Sequence, residues 1–327
     1  MCSEILNDDI FKNAIHILSA IEVPVHIFGA YIIITKIPVK MKTVKTNLFF
    51  LHSIGAVFDV GFSFIFIPVF NFPVFAAYPL EFTFGISTGV LIYFGVSFDA
   101  VVGVTVLLFF EDRYHHIVNG HMRLLYAFLH YLFGLTFIAP SFLNIPNQTI
   151  GKLEIKAKIP CIPDEVLNRP DYFVVTTDST VFSICFCSVI CLIGLPVTYY
   201  IVFTCWHLLN QKSQSRATSR LQLQFFVALC VQIFIPVMLL TIPITYIMLS
   251  SWLYYHSQAL NNLSLLAMAC HGVLSTLTML IVHKPYRHAT RDIFFIKQKL
   301  VSNQWAFNNS RQSRAITVIA EKRIGFN

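Results

Sequence analysis

The sequence predicts an all-α membrane protein, a seven-transmembrane helix bundle with a short amphipathic interfacial helix after span seven. Three observations predict it. Of 327 residues, 56% are hydrophobic and only 12% charged, whereas a soluble domain carries about 25% charged residues. That is too little charge to cover a water-soluble body of this size, and the mean hydropathy of +0.68 agrees. Seven uncharged apolar runs follow one another, each long enough for the about 20 residues that cross hydrocarbon at 1.5 Å apiece. Lys and Arg gather in alternate loops, as they do when one face of a membrane protein meets the cytoplasm.

The spans fall at about 14–35, 48–70, 84–110, 124–143, 181–208, 221–250 and 263–282. The first lies between Lys12 and Lys36, and the second follows the lysine-rich segment 36–45. The third closes on Glu111, the fourth opens after Arg123, and the fifth follows the long polar loop 144–180. The sixth follows Lys212, Arg216 and Arg220, and the seventh stops at the His283-Lys284-Pro285 run. Gly and Pro inside these runs do not veto helix, because lipid offers the backbone no better option. A β-barrel would need alternating segments of roughly ten residues, and these runs are continuous. Pro196, Pro236 and Pro243 are expected bend points. A receptor domain over residues 1–300 and a flexible tail over 301–327 complete the organisation.

Orientation follows from charge. One side carries 18 Lys and Arg against four acids; the other carries five against nine. The basic side is therefore expected in the cytoplasm and the N-terminus outside. The net charge of +7 reads as a membrane-orientation signature and not as nucleic-acid binding. The first ten residues hold Glu4, Asp8 and Asp9 where a signal peptide has a basic start, so the first span is expected to serve as its own insertion signal.

Two motifs stand at the basic ends of spans. Span three ends in Glu111, Asp112, Arg113 and Tyr114. An arginine beside carboxylates can pair with them in one state and be released to a partner in another. Span seven ends in His283, Lys284, Pro285, Tyr286 and Arg287. Proline removes a backbone donor and clashes with the preceding turn, so the helix is expected to stop there. Over 287–300, bases at 287, 291, 297 and 299 alternate with Ile293, Phe294, Ile296 and Leu300, the pattern of a helix lying in the headgroup layer.

These runs resemble the nematode serpentine chemoreceptors of class H (Srh). The likeness rests on the segments 283–287 and 111–116, Pro-Val-His-Ile-Phe-Gly-Ala-Tyr at 24–31, the segment 36–45, Ile-Pro-Cys-Ile-Pro at 159–163, and Gln-Ile-Phe-Ile-Pro at 232–236. It extends from about residue 11 to residue 300. The resemblance implies a seven-helix receptor of ciliated sensory neurons, hence the plasma membrane of a sensory cilium. It also implies signalling through a heterotrimeric G protein, with the arginine switch on Arg113. The chain lacks the rhodopsin-like Asn-Pro-x-x-Tyr in span seven and Cys-Trp-x-Pro in span six, and has no Cys at the outer end of span three.

Six of eight cysteines (185, 187, 191, 205, 230 and 270) fall in spans five to seven and are expected free. Cys2 and Cys161 are expected outside, in an oxidising compartment, where a bridge between them would tie the N-terminus over the bundle mouth. Asn147-Gln148-Thr149 is a glycosylation sequon in the long outer loop.

Charges within a bilayer are costly and functional by default. Glu22, Asp59 and Asp99 lie 14, 13 and 14 residues from the basic ends of their spans, which is about 20 Å. His271 lies 12 residues from His283, about 18 Å. Four titratable groups on spans one, two, three and seven thus share a depth and are expected to form a polar layer holding a cation or a proton. The other histidines show no metal-ligand spacing, and no Gly-x-Ser-x-Gly, His-Glu-x-x-His or phosphate-binding Gly-rich loop is present. No metal, cofactor or enzymatic activity is expected. A ligand pocket is expected in the outer half, lined by Tyr93, Phe94, Phe98, Phe186, Tyr246 and Tyr254, because aromatic walls suit a small apolar or amphipathic ligand.

The resulting expectation is a chemosensory G-protein-coupled receptor for an odorant or soluble chemical cue, surrounded by membrane lipids. Two rivals stay open: a ligand-gated channel subunit, distinguished by an internal N-terminus, and an ion-coupled transporter, distinguished by solute uptake without a G protein.

Overall fold

The computed structural model describes residues 8–36, 42–81, 83–118, 123–210, 216–283 and 286–293. The chain runs α1 (Asp8–Lys36), α2 (Lys42–Phe64), β1 (Pro68–Phe70), β2 (Phe75–Pro79), α3 (Thr88–Val118) and α4 (Arg123–Thr136). After a short 3₁₀ turn (Ala139–Phe142) come α5 (Gln148–Lys158), α6 (Asp164–Leu167), β3 (Phe173–Thr176) and α7 (Ser179–Val189). A π turn (Ile190–Gly194) leads into α8 (Leu195–Asn210), α9 (Arg216–Leu253), α10 (Gln258–Ala269) and α11 (His271–Val282). Residues 286–293 form a last helical segment, α12.

Among the described residues, seven helical stretches are long and apolar enough to cross a membrane. The fifth is α7 with the π turn and α8; the seventh is α10 with α11. α3 and the seventh stretch have half of their apolar windows buried, against 22% for α4. α3 is therefore the central post and α4 a peripheral one, its leucines 124, 125, 129 and 132 turned outward. Gly134 lets α4 approach closely: a Cβ there would lie 3.3 Å from Val104 and 3.5 Å from the α3 backbone.

The predicted second span is too long at its end. α2 stops at Phe64, and 65–70 leaves the helix to enter a three-stranded antiparallel sheet of order β1-β2-β3. β1 pairs with β2 (Val69 with Tyr78), and β2 with β3 (Ala76 with Val174), with a bulge between Phe75 and Ala76. A cis peptide joins Phe72 to Pro73 in the β1–β2 turn. An uninterrupted apolar run does not distinguish a buried strand from the end of a spanning helix, which is why the sheet was not legible. Predicted span three likewise begins late, at Thr88, and its helix continues through the Glu111–Tyr114 motif.

The sheet is a buried cap across the N-terminal face of the bundle. Phe70, Phe72, Phe75, Phe182 and Phe186 form its floor, with Phe75 and Phe182 ring centroids 4.4 Å apart and Phe182 and Phe186 4.7 Å apart. The open edge of β3 is covered by a side chain: Gln148 donates to Val174 O (3.0 Å) and accepts from Val174 N (2.9 Å), so the strand edge has a partner. Amides of α10 grip the other end. Gln258 donates to Phe70 O (3.1 Å) and accepts from Asn71 (2.8 Å), while Asn261 donates to Phe70 O and Phe72 O. His256 Nδ1 donates to Phe72 O at 2.6 Å. A second core, nearer the basic face, gathers Ile32, Leu48, Phe110, Leu208, Phe226 and Met279.

α9 is one continuous helix through Pro236 and Pro243. Pro196 follows a change of helix register: Leu195 N donates to Ile190 O, the five-residue spacing of a π turn.

Candidate functional site

Three polar constructions lie inside this bundle. The first is a knot around Asp59, which is fully buried. Its Oδ2 lies 2.9 Å from His26 Nε2 on α1. Its Oδ1 lies 3.1 Å from His271 Nδ1 on α11, although the hydrogen-bond geometry of Nδ1 favours Met268 O at 2.7 Å. Thr276 Oγ1 bridges His26 Nδ1 (3.3 Å) and His52 Nδ1 (3.4 Å), and His52 Nε2 meets His26 O at 3.0 Å. One helical turn toward the N-terminal face, Ser63 donates to Glu22 at 2.9 Å.

Two glycines make this approach possible. A Cβ at Gly272 would stand 1.6 Å from Asp59 Oδ2, and one at Gly29 would stand 2.6 Å from Thr276 Cγ2 and 2.9 Å from the His52 ring. Of the four predicted layer members, Asp59 and His271 meet directly and Glu22 sits one turn away, on its own serine. Asp99 Oδ1 makes no hydrogen bond to the knot among the described residues. Counting depth along each helix finds height but not azimuth, so it missed His26, His52 and Thr276, the residues that face Asp59. The helical spacing of Glu22 and His26 on α1 was the available signal, since residues four apart share a face.

The second construction is a cavity of about 780 Å³ between α3, the α7–π–α8 stretch and α9. Its wall is apolar, with Val102, Ile193, Ile201, Ile233 and Leu240, and Asp99 stands at one end. The π turn supplies Ile190, Ile193 and Gly194 to the lining. Asp99 Oδ1 is buried and has no hydrogen-bond partner among the described residues. The side chain as a whole is only partly covered.

The residues of the predicted aromatic pocket are spread over this arrangement. Of its six residues only Phe186 lines the cavity. Tyr93 instead donates to Leu135 O and fastens α3 to α4. Tyr246 donates to Asn261 and joins α9 to α10. Phe98 stacks on Phe58, whose ring in turn meets His271 edge-on. Phe94 and Tyr254 are 61% and 64% exposed and face away from the bundle. Aromatic identity on an apolar helix does not say which face is inward when every face is apolar.

The third construction is at the basic end of α3. Glu111 and Asp112 are both buried. Arg123, at the start of α4, ion-pairs with Asp112 and lies 3.3 Å from Glu111. His115 also reaches Glu111 (3.3 Å), and Asn47 donates to Asp112 from α2 at 2.7 Å. Arg113 stands 3.4 Å from Asp112 Oδ2 with its guanidinium over the Phe109 ring at 5.3 Å, and its Nε and Nη2 make no hydrogen bond among the described residues. The principal ion pair of the motif is thus with Arg123 rather than with the neighbouring Arg113. Tyr114 packs on Tyr200, with centroids 5.4 Å apart.

At the end of the seventh stretch, His283 is buried and bonds Gln232 of α9 at 2.8 Å. Tyr286 is buried and Arg287 donates to Ile281 O. Lys284, Pro285 and residues 294–300 of the predicted interfacial helix lie outside the described residues, as do Cys2 and the predicted tail 301–327. Cys161 is disulfide-bonded, while the six span cysteines are free. Asn147 is exposed and caps α5, its Oδ1 accepting from Thr149 N and Ile150 N.

On the N-terminal face, charges pair at the surface. Lys12 and His16 flank Glu81 at 3.0 and 2.8 Å, and Lys12 in particular holds the Glu81 carboxyl below its usual range. Arg169 does the same for Asp171 and also lies over the Tyr78 ring at 4.7 Å.

A family model described as Serpentine type 7TM GPCR chemoreceptor Srh matches residues 7–296. Serpentine receptor class H-72 of Caenorhabditis elegans is 29% identical over 296 residues, a match covering 86% of this chain and 85% of that protein.

Proposed function

Because the chain belongs to the Srh family of serpentine seven-transmembrane chemoreceptors, we propose that it is a G-protein-coupled receptor that binds a small external chemical cue within the bundle. It activates a heterotrimeric G protein at the basic face. The reading places the N-terminus and the sheet cap outside and the 18 Lys and Arg of the basic side in the cytoplasm, in the plasma membrane of a sensory cilium. The observation that carries it is the end of α3, where buried Glu111 and Asp112 are held by Arg123 while Arg113 keeps two unsatisfied donor atoms beside them. Such a charge cluster can exchange one pairing for another, the kind of bistable element a switch requires.

Parting the basic ends of α8, α9 and α11 would expose Arg113 to a partner. The His283–Gln232 bond is one of the links that must give way. On this topology Asn147 carries a glycan. A Cys2–Cys161 bridge tethers the N-terminus, a pairing supported by the bonded state of Cys161 beside six free thiols.

Arg113→Ala should abolish cue-driven nucleotide exchange in cells expressing a promiscuous G protein, at unchanged surface level. Arg123→Ala, which frees both carboxylates, should raise exchange without a cue. Unaltered exchange in both variants would reject the switch. Thr149→Val should remove the glycan while leaving the Asn147 cap of α5 in place, and a glycan-free wild type would count against an external N-terminal face.

A further inference from the structure

The cavity beside Asp99 has properties that the receptor reading does not supply. Among its lining residues Asp99 is the only carboxylate, and no Lys, Arg or His joins it. Two of the three threonine hydroxyls on the wall are turned back on their own helices: Thr198 donates to Gly194 O and Thr245 to Thr241 O. Asp59 is committed to His26 at 2.9 Å and lies 3.1 Å from His271, whose Nδ1 bonds Met268 O. A carboxylate left unpartnered against an apolar wall is costly. It becomes favourable when a donor, and above all a cationic donor, fills the space in front of it.

The direction of access is also written in the structure. Leu195, Phe234 and Ile190 line the cavity and are 63%, 59% and 51% exposed. They belong to the middle of spanning stretches, so their exposed faces meet hydrocarbon. The mouth therefore lies between α8 and α9 on the lipid side. Toward the N-terminal side the phenylalanine floor and the sheet lie across the bundle. At about 780 Å³ the cavity is within the roughly 300–1,000 Å³ of small-molecule sites.

We propose that this cavity is a binding site for a lipophilic amine that partitions into the bilayer, enters between α8 and α9, and places its ammonium on Asp99 with its hydrocarbon against the π turn and α9. The proposal deepens the receptor reading and rests on it for the meaning of binding, but not for binding itself. Gly103 gives an independent handle. A Cβ there meets only Ile193, at an ordinary 3.6 Å, so a larger side chain fits the helix and grows into the cavity.

The test uses full-length receptor in phosphatidylcholine nanodiscs with no G protein present. Tritiated octylamine is the probe, and octanol and octanoate are the competitors. Octylamine binds saturably and octanoate fails to displace it. Asp99→Asn lowers octylamine affinity roughly tenfold or more, as expected for loss of a charge-assisted bond. Gly103→Leu removes binding of octylamine and octanol alike. Three results overturn the proposal: no saturable octylamine binding to the wild type, displacement by octanoate or octanol as effective as by the amine, or binding indifferent to both substitutions. The wild-type competition needs no variant, so it decides even if a variant fails to fold. Amine binding with no nucleotide exchange for any cue would sink the receptor reading and leave the site. Exchange driven by other cues, with no amine binding, would do the reverse.

Discussion

Asp59 and Asp99 begin alike. Each is an acid in the middle of an apolar helix, 13 and 14 residues from its basic end, and each carries the same desolvation penalty in principle. Their surroundings divide them. Asp59 is gripped from two neighbouring helices, by His26 and His271; Gly272 leaves room for its carboxylate and Gly29 for Thr276 and His52. Asp99 faces an apolar cavity, and its Oδ1 has no hydrogen-bond partner among the described residues. The first acid is part of what holds α1, α2 and α11 together, and the second is available. A buried ionisable group is therefore read by whether the fold has already answered it, not by its presence.

The largest expected effect comes from breaking the answered site. Asp59→Ala leaves His26 without its acceptor and removes the carboxylate beside His271, and should cost about 3–5 kcal/mol, as removal of one partner of a buried pair does. Thermal unfolding in detergent micelles would register it as a large fall in the midpoint. A midpoint equal to that of the wild type would mean that the knot contributes nothing. Asp99→Asn, whose side chain is uncommitted, should shift the midpoint by less than about 1 kcal/mol in the same assay.

Next comes geometry without charge. Gly272→Ala places a methyl group where the Asp59 carboxylate lies and should cost about 1–3 kcal/mol by overpacking. Gly103→Ala, whose Cβ meets only ordinary contacts, should be neutral or slightly stabilising. Equal effects from the two would erase the distinction between a closed site and an open one.

The smallest effect concerns the cap that separates the cavity from the N-terminal face. Burial holds the His256 imidazole below its ordinary pKa, and its bond to Phe72 O opposes this only in part. For a base whose folded-state pKa is depressed, stability is present above the unfolded value of about 6.5 and is lost as pH falls through the folded one. Acidification should therefore speed amide exchange in β1 and β2 before it disturbs the helices around Asp59. His256→Gln should flatten that pH dependence. Glu81 and Asp171, both held below the usual carboxylate range by basic neighbours, should add losses only at lower pH.

Much of the architecture was legible in the chain. The seven stretches, the basic side and the acidic side follow from hydropathy and from where Lys and Arg stand, because the bilayer imposes a length and a charge rule that act locally. The sheet was not legible. Pro68–Phe70 and Phe75–Pro79 are as apolar as the helices around them, and their pairing with Phe173–Thr176 joins segments about a hundred residues apart. The placement of the predicted pocket aromatics was not legible for a related reason. Tyr93, Tyr246 and Phe98 are used as fasteners between helices, and nothing in their own neighbourhoods along the chain distinguishes a fastener from a wall.

The sequence alone thus determined that this is a seven-span bundle, which of its faces is basic, and how deep each buried acid lies, since those depend on composition and on rise per residue. Only the tertiary structure decided which groups meet across helices. Rotation about each helix axis and the close approach at Gly29 and Gly272 set whether a carboxylate finds a histidine or an empty space, and helical periodicity is nearly mute when every face of a helix is apolar.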